Sequence, residues 1–221
     1  MHILLLDHRM ADRPCPELET LVAAIEREGP GRRVSVCSPA IGEPTEGLLA
    51  TRQGWSIRLD QLPAAGAPSG WDGFLEAIAS GRCSLSAAAA HLADTPLGLL
   101  REAVRRAVTR AVDETDVDVL FVAQAGLLVE FAIETGPPVA AHADARDLTS
   151  LQPAGRLRDI VAAALSSCDL LAADSATTAD RLGADWIEPD PERPVEIWPL
   201  AGSAERILSG CQTALARRFT P

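Results

Sequence analysis

The segment at residues 118–148, DVLFVAQAGLLVEFAIETGPPVAAHADARDL, constrains the fold more than any other part of the chain. Residues 119–123 form a short apolar run rich in branched side chains, as expected of a strand buried on both faces. Residues 127–135 have helical length and stop at Gly136-Pro137-Pro138, the order of breakers expected past a helix end. Residues 139–141 then read as a second strand, followed at once by His142, Asp144, Arg146 and Asp147. Strand, helix and strand in that order predict a right-handed crossover in a parallel sheet. Ligands of such sheets sit beyond the carboxyl ends of the strands, so this polar cluster stands where the fold would put chemistry.

The rest of the chain repeats the pattern. Residues 2–6 are the natural first strand and end at Asp7-His8-Arg9. A helix from about residue 17 to 27 follows, with Leu18, Leu21, Val22 and Ile25 on one face. Residues 34–37 and 55–59 read as the next strands, residues 38–51 as loop, and residues 63–69 as the most linker-like stretch. Residues 71–92 are alanine-rich and helical in pieces. Residues 97–112 form an amphipathic helix whose arginines lie mostly off the apolar stripe, as on a solvated face. A helix at 157–167, a strand at 169–173, and a helix start capped by Ser175 come next. Strands at 185–188 and 195–198 and a terminal helix at 204–218 complete the reading. The expectation is one α/β domain over residues 1–221, Rossmann-like and doubly wound, with a mainly parallel sheet flanked by helices.

Composition excludes several functions. A formal net charge of −11 argues against nucleic-acid or anionic-membrane partners, which need basic surfaces. No stretch has the apolar length of a transmembrane segment. Lysine is absent from the sequence, so neither a Schiff base nor a GxxxxGK[ST] phosphate loop is available. The five cysteines are scattered and never spaced as CxxC, which points to reduced thiols, packed as small hydrophobes in a cytoplasmic protein. There is no GxGxxG after the first strand, no GxSxG elbow and no histidine pair at metal-ligand spacing, so neither a metal nor a cofactor is expected.

What remains is a ring of polar residues at strand ends: Asp7, His8, Gln124, His142, Asp144, Asp174 and Ser175. A histidine there can act as general base or bond a sugar hydroxyl, or can be a satisfied structural side chain. Asp144 and Asp147 can orient it or cap the next turn, the cap being the expectation for Asp147. Ser175 is expected as a helix cap, a role that leaves contact with a ligand open.

The order of motifs resembles the N-terminal domain of GT-B glycosyltransferases, specifically the retaining glycosyltransferase family 4 group. HILLLD is similar to that family's first strand, and GRRVSVCSP to its second. DVDVLFVAQAGLL resembles its next strand, with Phe121 and Ala123 where histidines are common. TGPPVAAHADARDL resembles the segment that carries the family's strand-end histidine, which falls on His142. LSSCDLLAADSATTADRL matches a strand and helix whose serine falls on Ser175, and VEIWPLAGSAERI resembles the hinge. The resemblance implies a Rossmann-like acceptor-binding domain with His142 as the catalytic residue. Asp7, His8, Arg9, Gln124, Asp144 and Ser175 would then contact substrate.

Departures accompany the matches. The loop DHRMADRPCP lacks the family's paired glycines, Ala143 replaces a glycine, and Leu200-Ala201-Gly202-Ser203 stands for Asn-Gly-Val-Asp. The sequence also ends where the family's donor-binding domain begins. The expectation is therefore transfer from a nucleotide sugar to a sugar acceptor only when a donor domain is supplied, by another polypeptide, by a homo-oligomer or by sequence outside these residues. The chain alone is expected to be inactive. The lost glycines equally fit a non-catalytic GT-B-like binding or regulatory protein, and an unrelated α/β binding or hydrolase domain is the third reading.

Overall fold

The computed structural model describes residues 1–9, 16–28, 31–43, 54–62, 70–80, 84–152, 155–200 and 204–219. Seven strands, β1 (His2–Leu6), β2 (Arg33–Ala40), β3 (Gly54–Arg58), β4 (Val119–Val122), β5 (Val139–Ala143), β6 (Leu170–Ala173) and β7 (Glu196–Ile197), form one sheet. Every pairing is parallel, and the order is β3-β2-β1-β4-β5-β6-β7. The strand order therefore reverses between β1 and β4, where Ile3 pairs with Val119 and Leu6 with Val122. A crevice opens at the carboxyl ends of two strands whose connections leave in opposite directions.

Helices cover both faces. α1 (Pro16–Arg27) and the terminal helix α9 (Ala204–Phe219) lie on one side. There Leu18, Leu21, Val22 and Ile25 meet Ile207, Leu208, Cys211 and Ala214 over Ile3, Leu5, Phe121 and Ala140. The other face carries α2 (Trp71–Ala79), α3 (Leu85–Ala89), α4 (Asp94–Asp113), α5 (Leu127–Glu134), α6 (Ala145–Leu151), α7 (Arg156–Ser166) and α8 (Ala176–Asp185). Leu4, Leu6, Leu120, Val122, Ala141 and Ala143 face that layer. Both faces are thus buried, which is why the strands read as continuous apolar runs. Cys37, Cys168 and Cys211 are buried among these side chains, and burial pushes the Cys37 and Cys211 thiols up to about 12.

Most expected elements appear within a residue or two of their expected limits, and Gly136 takes the left-handed φ of 100° that ends α5. Three differ. β2 runs on to Ala40 through residues expected to be loop, pairing with β3 alone beyond Cys37. Pro39, which has no N–H to give, is tolerated because β1 has already ended. The strand expected at 185–188 does not form. The N–H groups of Trp186 and Ile187 instead close α8 by donating to the Leu182 carbonyl, each over 3.0 Å. Trp186 is buried there, and Glu196–Ile197 occupies the slot beside β6 in its place. The strand expected at 195–198 is correspondingly only two residues long. The stretch at 63–69 lies outside the described residues.

Candidate functional site

The end of β1 delivers Asp7, His8 and Arg9 to the crevice. Asp7 is held by its own N–H on the Cys37 carbonyl at 3.0 Å, and its carboxylate faces Arg9. Arg9 Nε donates to both oxygens at 3.1 and 3.3 Å, and the Arg9 backbone N–H adds a third bond. Burial raises the Asp7 carboxyl, and the Arg9 guanidinium opposes the rise.

His8 is 1% exposed and turns toward the start of α5. Leu128 N–H donates to His8 Nε2 over 3.0 Å, while Leu127 N–H donates to Ser86 Oγ over 2.8 Å. Two side chains from distant sequence thereby satisfy amides that the helix itself leaves open. Because Nε2 accepts, the neutral ring carries its proton on Nδ1. Burial, with the Arg9 charge adding to it, pushes the His8 ring down to about 3, so it stays neutral.

This arrangement depends on Gly126. A Cβ there would lie 2.2 Å from Ser86 Oγ and 2.9 Å from His8 Nε2, so any larger residue would force the caps off the helix. His8 Nδ1 and Gln124 Oε1 are buried and have no hydrogen-bond partner within the protein. A buried polar group left so costs about 1–3 kcal/mol.

After β5, Asp144 accepts from the N–H groups of Arg146 and Asp147 at 2.7 and 2.8 Å and is the cap of α6. The Asp147 carboxyl takes a bond back from the Asp144 backbone, so the capping expected of Asp147 is shared reciprocally between the two. Asp147 is 7% exposed, and its Oδ2 has no partner within the protein. Burial pushes this carboxyl well above the usual carboxylate range. Asp144 and Asp7 add to the rise, while the Asp144 backbone bond and Arg9 oppose it. α3, whose Leu85 N–H donates to the His8 carbonyl at 3.1 Å, packs against α6 and so ties it to the end of β1.

His142 and Ser175 belong to a second group. Ser175 caps α8 as expected, accepting from Thr178 N–H at 3.3 Å and donating to Asp174 at 3.0 Å. Burial works against the Asp174 carboxylate, but bonds from Thr178 and Ser175 hold it below its ordinary value. His142 lies on the α1 and α9 side of the sheet, 2% exposed, with its ring 5.2 Å from that of Trp198. Its Nε2 meets the Trp198 carbonyl at 3.1 Å. Burial lowers the His142 ring, opposed by that carbonyl and by the charges of Asp174 and Asp144.

The structure thus gathers Asp7, His8, Arg9, Gln124 and Asp144 around the switch point, joined by Ser86, Gly126 and Asp147. Sequence reasoning did not single out Ser86, which lies in an alanine-rich stretch without a motif. Nor did it single out Gly126, although a glycine between a strand and a helix is a signal of close backbone approach. Among the described residues no group of three or more His, Cys, Asp or Glu side chains could hold a metal ion, and no helix is long and apolar enough to cross a membrane.

No protein-family model matches the chain, and no curated protein sequence matches it. Solved structures do. A sucrose-phosphate synthase structure from Thermosynechococcus elongatus superposes with a TM-score of 0.57 at 12% identity, covering 100% of both chains. UGT2 of Phytolacca americana, without ligand, matches 89% of this chain and 51% of its own, with a TM-score of 0.42 at 13% identity. Os79 of O. sativa, solved with UDP, matches 98% of this chain and 43% of its own, with a TM-score of 0.38 at 16% identity. The present chain therefore spans about half of each of these last two, whose scores carry no weight for the fold. At 12% identity the first likeness shows a shared fold, the Rossmann-like α/β sheet flanked by helices.

Proposed function

We propose that the chain is the acceptor-side domain of a GT-B glycosyltransferase, transferring a sugar from a nucleotide sugar once a donor-binding domain completes the cleft. The observation that carries this reading is the convergence of Asp7, His8, Arg9, Gln124 and Asp144 on the β1/β4 switch point of a sheet sharing the fold of a sucrose-phosphate synthase structure. Support for a donor half outside these residues comes from the helix starts. At the starts of α5, α6 and α8 the Leu127, Leu128, Arg146, Asp147 and Thr178 amides are already taken by Ser86, His8, Asp144 and Ser175. Such amides are the usual receptors for nucleotide phosphates, so their occupation is in keeping with a donor held by a second domain. Asp7, Arg9, Gln124 and Asp144 would hold the acceptor, with His8 donating through Nδ1 and Ser175 at the margin. His142 keeps its assignment to the transfer step, where it would act either by releasing the Trp198 carbonyl or by fixing the end of β7 behind the acceptor. The partner is a donor-domain polypeptide or a further copy of the chain, and the setting is cytoplasmic.

The test is co-purification from the native cell followed by a transfer assay with labelled nucleotide sugars. The isolated chain is expected to be inactive and the complex active. A complex that forms but transfers nothing would favour the second reading, a non-catalytic GT-B-like binding protein. One observation speaks for that reading: the rings of His8 and His142 are both buried and both engaged by backbone.

A further inference from the structure

Three polar atoms at the carboxyl ends of successive central strands lack partners within the protein: His8 Nδ1 after β1, Gln124 Oε1 after β4 and Asp147 Oδ2 after β5. His8 and Asp147 are 1% and 7% exposed as residues, so bulk water does not solvate them freely. Native proteins seldom leave such groups unmatched without a bound species to meet them. The positions share one neighbourhood. His8 bonds the helix start that follows the Gln124 turn, and its carbonyl accepts from Leu85 N–H at the head of α3, which packs against α6, the helix that carries Asp147.

The chemistry of the set is specific. His8 Nδ1–H donates only, because Nε2 is already an acceptor for Leu128. Gln124 Oε1 accepts only. A carboxyl oxygen accepts when ionised and can donate when protonated. A vicinal pair of hydroxyls, each both donor and acceptor, can answer all three. A phosphate dianion, an acceptor only, can answer His8 and a protonated Asp147 but not Gln124 Oε1, and would set its charge against the carboxyls of Asp7 and Asp144. The local compensations for an anion are already in use. Arg9 is engaged by Asp7, and the leading amides of α5 and α6 by His8, Ser86 and Asp144. Arg146 at the start of α6 is exposed and could draw an anion to the surface, so phosphate alone belongs in the test.

Resting on the acceptor reading above, we propose that this crevice binds an uncharged polyhydroxyl acceptor through His8 Nδ1, Gln124 Oε1 and Asp147 Oδ2, and rejects the corresponding phosphate ester. The acceptor is thus a free sugar, a polyol or the unphosphorylated sugar of a glycoside.

The experiment titrates the 221-residue protein with glucose, fructose and myo-inositol, each beside its phosphate monoester, and with inorganic phosphate. Binding is followed by the His8 ring resonances in NMR. At least one neutral compound is expected to shift His8, with its ester bound at least tenfold more weakly. Gln124→Leu and Asp147→Asn, changes that spare the His8 cap, should each weaken that binding about tenfold while leaving the fold intact. An ester or phosphate bound more tightly at His8 overturns the inference, as does silence across the panel from folded protein. Its failure is separable from failure of the transferase reading. A tightly bound ester leaves that reading standing, whereas a neutral ligand bound at His8 in a complex that transfers no sugar overturns the reading alone.

Discussion

Leu128 N–H donates to His8 Nε2 over 3.0 Å, joining the end of β1 to the start of α5 across 120 positions of sequence. The bond spans the switch point of the sheet and gives a histidine at the mouth of the crevice a structural task. It fixes the tautomer of a ring that burial keeps neutral and leaves Nδ1–H as its one free function. A histidine so held is a donor to ligands and a poor base.

That state has a pH signature. In the unfolded chain His8 takes up a proton below its ordinary 6.5, whereas in the folded protein it does so only below about 3. Its contribution to stability is therefore complete above pH 6.5 and is lost as the pH falls through that window. The loss approaches about 1.4 kcal/mol per pH unit. The lowered His142 acts in the same direction, while the raised Asp7 and Asp147 act oppositely, so the comparison must be with a variant. Urea unfolding of the parent and His8→Gln at pH 7, 5.5 and 4.5 should give a shallower acid loss in the variant. Parallel curves would show that His8 does not titrate as described.

Asp147 carries the reverse sign. A carboxyl raised in the fold lends stability while it is protonated, below its ordinary 3.8, and loses it as the pH rises through the folded value. Asp147→Asn keeps the acceptor for the Asp144 backbone and removes the ionisation. The variant should be at least as stable as the parent at pH 7, with its advantage shrinking toward pH 4, as thermal unfolding at the two pH values would reveal. Marked destabilisation at pH 7 would mean that the charge itself is needed.

Gly126 is the steric keystone of the caps. Gly126→Ala pushes a methyl into Ser86 Oγ and His8 Nε2 and should cost about 1–3 kcal/mol through overpacking and lost capping. Ser86→Ala, which removes one cap without crowding, should cost about 1 kcal/mol. Denaturation midpoints of the two variants order these effects, and a neutral Gly126→Ala would contradict the close approach.

The role of His142 separates by two substitutions. His142→Ala should lower transfer by the reconstituted complex, since the end of β7 loses its bond at the Trp198 carbonyl. Because glutamine can also donate to that carbonyl, His142→Gln should restore transfer to within about tenfold if His142 positions the site. A loss of about 100-fold or more in both variants would instead mark proton transfer.

The sheet was legible because residues 119–123 and 139–141 are buried on both faces and their apolar runs leave little choice of structure. Gly136 was legible because the chain must turn left-handed there. The segment at 185–188 misled because Trp186 and Ile187 are apolar enough for a strand yet pack where a helix closes. The crevice was half legible. Asp7, His8 and Gln124 announced themselves by standing at strand ends, whereas Ser86 reaches Leu127 across 41 residues with no local pattern to betray it. Burial was also invisible. Nothing in HADARD says that His142 turns under the sheet while Asp147 is enclosed with a free oxygen.

The proposed cleft takes one wall from this chain and the other from a donor-binding domain. Its most direct test measures sugar transfer from a labelled nucleotide sugar by the purified 221-residue protein, alone and after addition of the donor-domain polypeptide that co-purifies with it. The expected result is no turnover by the chain alone, and turnover on addition that falls when Gln124→Leu or Asp147→Asn replaces the parent. Tight binding and turnover of the nucleotide sugar by the isolated chain would contradict it.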